Sequence, residues 1–354
     1  MNAALQASSA THSLKPGART VHWGYFDAAL APVLRIASGD RVEVETISGS
    51  PEQLPKSGYA IPPEFAEVHA AHQPFLGPHI LCGPVYVEGA EPGDTLQVDI
   101  EDVYPRQDWG YNIIAPLKGS LPEDFPEGRL IHIPIDLKRR VATMAWGTEI
   151  PLRPFFGIMA VAPRPSYGKV TSIVPREFGG NMDNKELIAG TTLYLPVFNQ
   201  GALFSVGDGH GVQGDGEVCL SALETSLGGR FRLTVRKDMQ VKFPRAETPT
   251  HYITIGMDED LDDAAKQALR EMIKLLQQIA GLSAADAYTL CSLACDLRVT
   301  QLVDGNKGVH AMIAREMATG KKYATIPRGI ALGLAATPCR SAAPTIAPAF
   351  SPPR

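Results

Sequence analysis

The sequence predicts a mainly β protein of the α+β class, a β-sandwich or barrel-like set of sheets joined late in the chain by a helical hairpin. Three observations carry this. Apolar and polar residues alternate in short segments through most of the first 250 positions. The 33 glycines and 29 prolines punctuate those segments, as turns between strands do. The three- and four-residue apolar spacing of an amphipathic helix appears only after Asp258.

The alternating segments are Arg41–Thr46, Thr95–Ile100, Leu130–Ile135, Thr192–Val197 and Arg230–Val235. Successive side chains of a strand point to opposite faces, so each segment buries one face. Pro134 and Pro196 remove ladder donors inside two of them, which predicts sheet edges or bulges there. Ser38-Gly-Asp-Arg-Val42, Pro92-Gly-Asp-Thr-Leu96 and Ala189-Gly-Thr-Thr-Leu193 reuse one local device, a glycine turn that opens a strand. Further on, Leu261, Ala265, Ala268, Met272, Leu276 and Ile279 line one face of a helix from Asp258, its expected cap, to Ile279. Gly281 ends that helix, and Ser283-Ala-Ala-Asp286 opens a second in the manner of a capping box. Leu297–Val303 then returns to strand, so the helices interrupt a sheet. The resulting organisation is a flexible opening segment at 1–20, a β-rich unit at 21–336 with room for two subdomains, and an alanine- and proline-rich tail at 337–354.

Hydrophobic residues make up 44% and charged residues 20% of the chain, the balance of a soluble globular protein. A net charge of -5 provides no basic face for phosphates, which argues against nucleic acid and for a small neutral ligand. No apolar run approaches the roughly 18 residues of a membrane span, and the opening residues lack the pattern of a secretory signal, so the expected location is the cytoplasm. The five cysteines are odd in number and lack paired spacing, against a disulfide scaffold or a thiolate zinc site.

The densest chemical signal is Gly207-Asp-Gly-His-Gly-Val-Gln-Gly-Asp-Gly-Glu217, with five glycines in eleven residues. Asp208 and His210, and again Asp215 and Glu217, lie two apart, which in extended chain sends both members to one side. Carboxylate with neutral imidazole suits zinc or another divalent ion. Between Phe178 and Gly229 six acids, Asp183, Glu186, Asp208, Asp215, Glu217 and Glu224, stand against one base, Lys185. Read from residues alone, the segment is a catalytic metal centre, a structural cation clip such as a calcium site, or a solvated surface loop. Glu177-Phe-Gly-Gly-Asn-Met-Asp183 and the run from Leu76 to Asp94, with His79, Cys82, Glu88 and Glu91, have the same glycine- and acid-rich character.

These residues resemble the acetamidase/formamidase family. His22-Trp-Gly-Tyr-Phe-Asp27 resembles its opening motif, and Gly83-Pro-Val-Tyr-Val-Glu-Gly-Ala-Glu-Pro-Gly-Asp94 its first core motif. Gly179-Gly-Asn-Met-Asp183, and Gly207-Asp-Gly-His210 followed by Gln213-Gly-Asp-Gly-Glu217, resemble the other two. The likeness runs from about Thr20 to Ala314 and departs at Cys82, where the family often carries threonine. It implies hydrolysis of short aliphatic amides to acid and ammonia by a β-rich homodimer. Carried over by motif, Asp183, His210 and Glu217 are the leading metal ligands, with Asp208, Asp215 and His79 behind them. Glu217 or Asp215 would act as the base. His79, Cys82, Glu88, Asn181 and Gln213 are the substrate-binding candidates. Two alternatives stand beside this reading. One is a cysteine-dependent amidase using Cys82 or Cys219, and the other a non-catalytic, cation-stabilised module that binds small amides.

Overall fold

All five alternating segments form strands, at Arg41–Glu45, Thr95–Pro105, Arg129–Asp136, Thr192–Pro196 and Leu227–Arg236, in a computed structural model that describes residues 9–320. The expected tail at 337–354 lies outside the described residues. Four of the five strands join one nine-stranded sheet, in the order Thr11–Leu14, Arg41–Glu45, Leu227–Arg236, Thr95–Pro105, Thr192–Pro196, Arg245–Glu247, His251–Asp258, Lys307–Ala314, Cys295–Gln301. The repeated turn works as expected. Gly39, Gly93 and Gly190 adopt φ of 94, 99 and 91°, and each opens a strand of this sheet.

A second sheet is built from Gly179–Asn181, Phe155–Ala160, Phe204–His210, Ile80–Val87 and Val21–Trp23, with Leu34–Ile36 beside Ile80–Val87. The apolar faces of the two sheets share one core, where Phe231 of the larger sheet meets Phe156 and Phe204 of the smaller at ring-centroid distances of 5.5 and 6.0 Å. The architecture is therefore a sandwich; neither sheet closes into a barrel among the described residues. A four-stranded arm, Trp109–Ile114, Arg129–Asp136, Val141–Thr143 and Glu149–Pro151, has its own small core around Ile133, Ala142 and Leu223.

The helices Leu261–Ala280 and Ala284–Ala294 cover the far end of the nine-stranded sheet, burying Ala264, Ala268, Met272 and Leu276 against Val309, Ala311 and Ile313. Gly256 permits the close approach, because a Cβ there would overlap the Ala264 carbonyl. Ser283 caps the second helix and Gly281, at φ 68°, ends the first. The first cap is Asp260, whose side chain accepts from the Asp262 and Asp263 amides; Asp258 closes the preceding strand instead. None of the described helices is long and apolar enough to cross a membrane.

Two expectations change. Thr11–Leu14, inside the segment expected to be flexible, is a strand parallel to Arg41–Glu45, held by buried Leu14 and by Asp40, which accepts the Ala10 amide at 2.8 Å. The strands with Pro134 and Pro196 both have neighbours on two sides. Each proline is tolerated because it sits where one neighbour has run out: Val141–Thr143 reaches only Ile135 and Asp136, and Arg245–Glu247 only Thr192 to Tyr194.

Candidate metal centre

The strand Phe204–His210 runs through the interior of the second sheet and is buried throughout. Its last residues bring Asp208 and His210 together, with Nε2 of His210 3.2 Å from the Asp208 carboxylate. Gly157 of the neighbouring strand makes this possible. A Cβ there would overlap carboxylate oxygens of Asp183 and Asp208 and come within 2.9 Å of the His210 ring. The glycine is a floor on which the acids rest.

Asp183 comes from the turn after Gly179–Asn181, where its amide and that of Met182 both donate to the Gly157 carbonyl. Glu217 comes from a glycine turn pinned to the far end of the large sheet, since Gly216 donates to Thr300 and Leu302 donates back to Gly216. Asp183, Asp208 and Glu217 have φ of 46, 58 and 44°, in the left-handed region that non-glycine residues avoid. Such conformations cost about 1–3 kcal/mol each and persist where the surroundings over-determine them. Here three fall on acids of one cluster.

Two further acids complete it. Glu224, in backbone register with both Tyr111 and His210, places a carboxylate oxygen 3.3 Å from His210 Nε2. Asp304, just beyond the Cys295–Gln301 strand, lines the same cavity of about 360 Å³. Ligand atoms of Asp183, His210 and Glu217 lie within 4.8 Å of one another, as do those of Asp208, His210 and Glu224. Ligands about 2 Å from a tetrahedral ion are roughly 3.3 Å apart, so the spacing suits a metal.

The donor inventory points the same way. Among the described residues, Asn181 Oδ1, Asp183 Oδ1, Glu217 Oε2 and Asp304 Oδ2 are buried oxygens that no hydrogen-bond donor reaches. Buried acceptors without partners are rare and costly, and a cation satisfies several at once. Burial and the neighbouring Asp183 charge push the Glu217 and Asp304 carboxyls well above their usual range. Burial lifts Glu224 to about 7. Burial also opposes ionisation of Asp208, but adjacent His210 holds it down to about 2. Burial likewise disfavours charge on His210, yet Glu224 and Asp208 raise it well above its ordinary value.

Gln213 sets the imidazole. Its amide nitrogen donates to the Asp183 carbonyl at 2.7 Å, so its oxygen faces His210 Nδ1 at 2.9 Å and accepts from it. That leaves Nε2 as the atom that could hold an ion. Of the other expected site residues, Asn181 and His79 line the cavity, with His79 Nδ1 against the Ser172 hydroxyl at 2.8 Å.

Gln213, expected to bind substrate, orients the ring and does not line the cavity, and three more candidates are not brought to it. Asp215 turns away and pairs with Lys185 at 2.9 Å. Glu88 sits on an exposed turn against Arg35. Cys82 points into the core, its thiol donating to the Glu45 carbonyl and pushed up to about 12 by burial. His69 and His72, spaced like a ligand pair, each bond a backbone carbonyl instead. Glu224 and Asp304 were not among the sequence candidates. Glu224 was visible only as one of six local acids, and Asp304-Gly305 reads as an ordinary turn.

The acetamidase/formamidase family model matches residues 15–171 and 167–315. A Schizosaccharomyces pombe protein carried under a provisional formamidase name is 33% identical over 255 residues, covering 53% of this chain. The chain spans 62% of that relative's length. Among solved structures, the acetamidase of Bacillus halodurans superposes with a TM-score of 0.74 at 30% identity, covering 85% of this chain and 97% of the other. The acetamidase of Yersinia enterocolitica superposes with a TM-score of 0.78 at 27% identity, covering 90% and 96%. The chain belongs to the acetamidase/formamidase family.

Proposed function

We propose that this protein hydrolyses short aliphatic amides such as formamide or acetamide to the carboxylic acid and ammonia, with a divalent cation held by Asp183, His210, Glu217 and Asp208. The observation that carries the reading is the set of four buried oxygens that no donor among the described residues reaches, beside one imidazole, in segments that match the family. A mixed nitrogen and oxygen donor set suits zinc; calcium, which prefers oxygen alone, fits a structural role without His210. Such an ion supplies Lewis acidity to a carbonyl oxygen and acidifies water.

The remaining chemistry falls to the chain. Hydrolysis adds water across the C–N bond, so one proton must leave the water and reach the departing nitrogen. Glu217 and Glu224 both line the cavity, and either carboxylate could take a proton from water and return it to the departing nitrogen. Asn181 and His79 line the cavity where the amide would sit. The cysteine route has no support in the contacts, because Cys82 lies in the core and the Cys219 thiol faces Asn112 and Ser221, with no histidine or carboxylate beside it among the described hydrogen bonds. On this reading the enzyme is a homodimer, as the family resemblance implies, and works in the cytoplasm.

Ammonia release from acetamide by the purified protein, before and after chelation and again after zinc is restored, tests the proposal. Release that stops and returns supports it. No release from any short amide, together with tight amide binding, would make the protein a cation-stabilised binding module instead.

A further inference from the structure

The cavity is larger than formamide or acetamide requires. A water molecule takes about 30 Å³ in the liquid. The cavity of about 360 Å³ thus leaves room beyond an ion, its water and a three- or four-atom amide. Beside Ser48, Gln53, Lys118 and Ser221, much of the remaining lining is apolar. Ile113, Ala115, Ile173, Leu220 and Val303 form it, and all five are only half-buried.

Three of these side chains are tied to the acids by the backbone, and a fourth to His79. Val303 precedes Asp304, and the Leu220 amide donates to the Glu217 carbonyl at 3.1 Å. Ile113 lies two residues beyond Tyr111, whose amide and carbonyl both bond Glu224, at 2.9 and 2.8 Å. Ile173 follows Ser172, the partner of His79. The apolar wall therefore holds a fixed place around the reacting centre. Its members are still partly exposed, and covering apolar surface is favourable.

Resting on the hydrolase reading, we infer that the preferred substrates are amides whose acyl group carries an apolar chain or ring of several carbons, seated against this wall. Covering each additional methylene should raise kcat/KM about fourfold, the equivalent of about 0.8 kcal/mol per buried CH₂. Ala115 is the smallest of the five wall residues, so enlarging it shortens the space directly.

The test is a kcat/KM series for straight-chain primary amides from formamide to hexanamide on the zinc-loaded protein, with thermal stabilisation of the metal-free protein by acetamide and hexanamide at equal concentration as a second readout. We expect at least a tenfold rise from acetamide to hexanamide, stronger stabilisation by hexanamide, and a collapse of the hexanamide-to-acetamide ratio in Ala115→Phe. Values of kcat/KM that fall steadily from formamide would overturn the inference and leave the hydrolase reading intact. Stabilisation by hexanamide without turnover of any amide would support the apolar wall as a ligand site and sink the hydrolase reading. Neither turnover nor stabilisation would overturn both.

Discussion

Asp215 and Glu217 lie two residues apart in one glycine turn, and Asp183 and Glu186 three apart in the segment after Gly179–Asn181, yet the members of each pair have opposite surroundings. Asp215 has Lys185 at 2.9 Å, and Glu186 has Arg153 at 2.6 Å and Arg298 at 3.5 Å. Burial works against the Glu186 charge, but the Arg153 guanidinium keeps its carboxyl below the usual range. Glu217 and Asp183 have no base except His210 among the described ion pairs, and burial raises both carboxyls. Acids that meet a base are finished structure. Acids gathered without one form the place where the proposed cation would sit.

The largest expected effect breaks the comparison at its centre. Glu217→Gln removes the proposed proton acceptor and should lower turnover by roughly two to four powers of ten while the proposed ion is still bound. His210→Ala should lose the ion itself, because it deletes the nitrogen ligand. Metal content and amide kinetics on the two purified variants separate these outcomes, and near-normal turnover in Glu217→Gln would move the base to Glu224.

Gln213→Leu is the next test. The imidazole would no longer be held with Nε2 towards the acids, so zinc affinity should fall by about 10–100-fold, the usual consequence of losing a partner that orients a metal-binding histidine. Zinc titration would measure it. Unchanged affinity would mean that the acids alone orient the ring.

The histidines extend the contrast to pH. His210, buried among acids, has its pKa raised, whereas burial lowers His22 and His310 to about 4. The unfolded chain protonates these two below about 6.5 and the fold only below about 4, so their contribution is complete above about 6.5 and fades as the pH falls towards 4. Each should account for about 3 kcal/mol across that window. Denaturant unfolding of wild type and His22→Phe at pH 7 and pH 4.5 reads it, since the stability gap between them should narrow at the lower pH. A gap independent of pH would show that His22 is not held neutral.

The smallest effect is expected at Asp215. Its ion pair with Lys185 is partly solvated, so Asp215→Asn should cost no more than about 1 kcal/mol and leave metal content unchanged. A large loss of activity would erase the distinction between the two acids of the turn.

Much of this was legible in the sequence, for physical reasons that also set the limit. Alternation and glycine turns report on backbone and burial, and they located the five strands, the helical hairpin and the Ser283 cap. The motif acids Asp183, Asp208 and Glu217 and the imidazole of His210 were legible because glycines flank them. Which acid of a pair turns inward was not. Period two puts Asp215 and Glu217 on the same side, but Glu217 has φ 44° and Gly216 φ 97°, so the chain between them is a turn and not a strand. Glu88 and Cys82 shared the composition of the site but not its location. Asp304 could not be read at all, because it enters from the strand beyond the helices with no glycine-acid repeat around it.

Calorimetric titration of zinc into chelator-stripped protein tests the central claim most directly. The account predicts tight binding to wild type and to Asp215→Asn, with binding lost in His210→Ala. Absence of binding to wild type, or equal binding to His210→Ala, would contradict it.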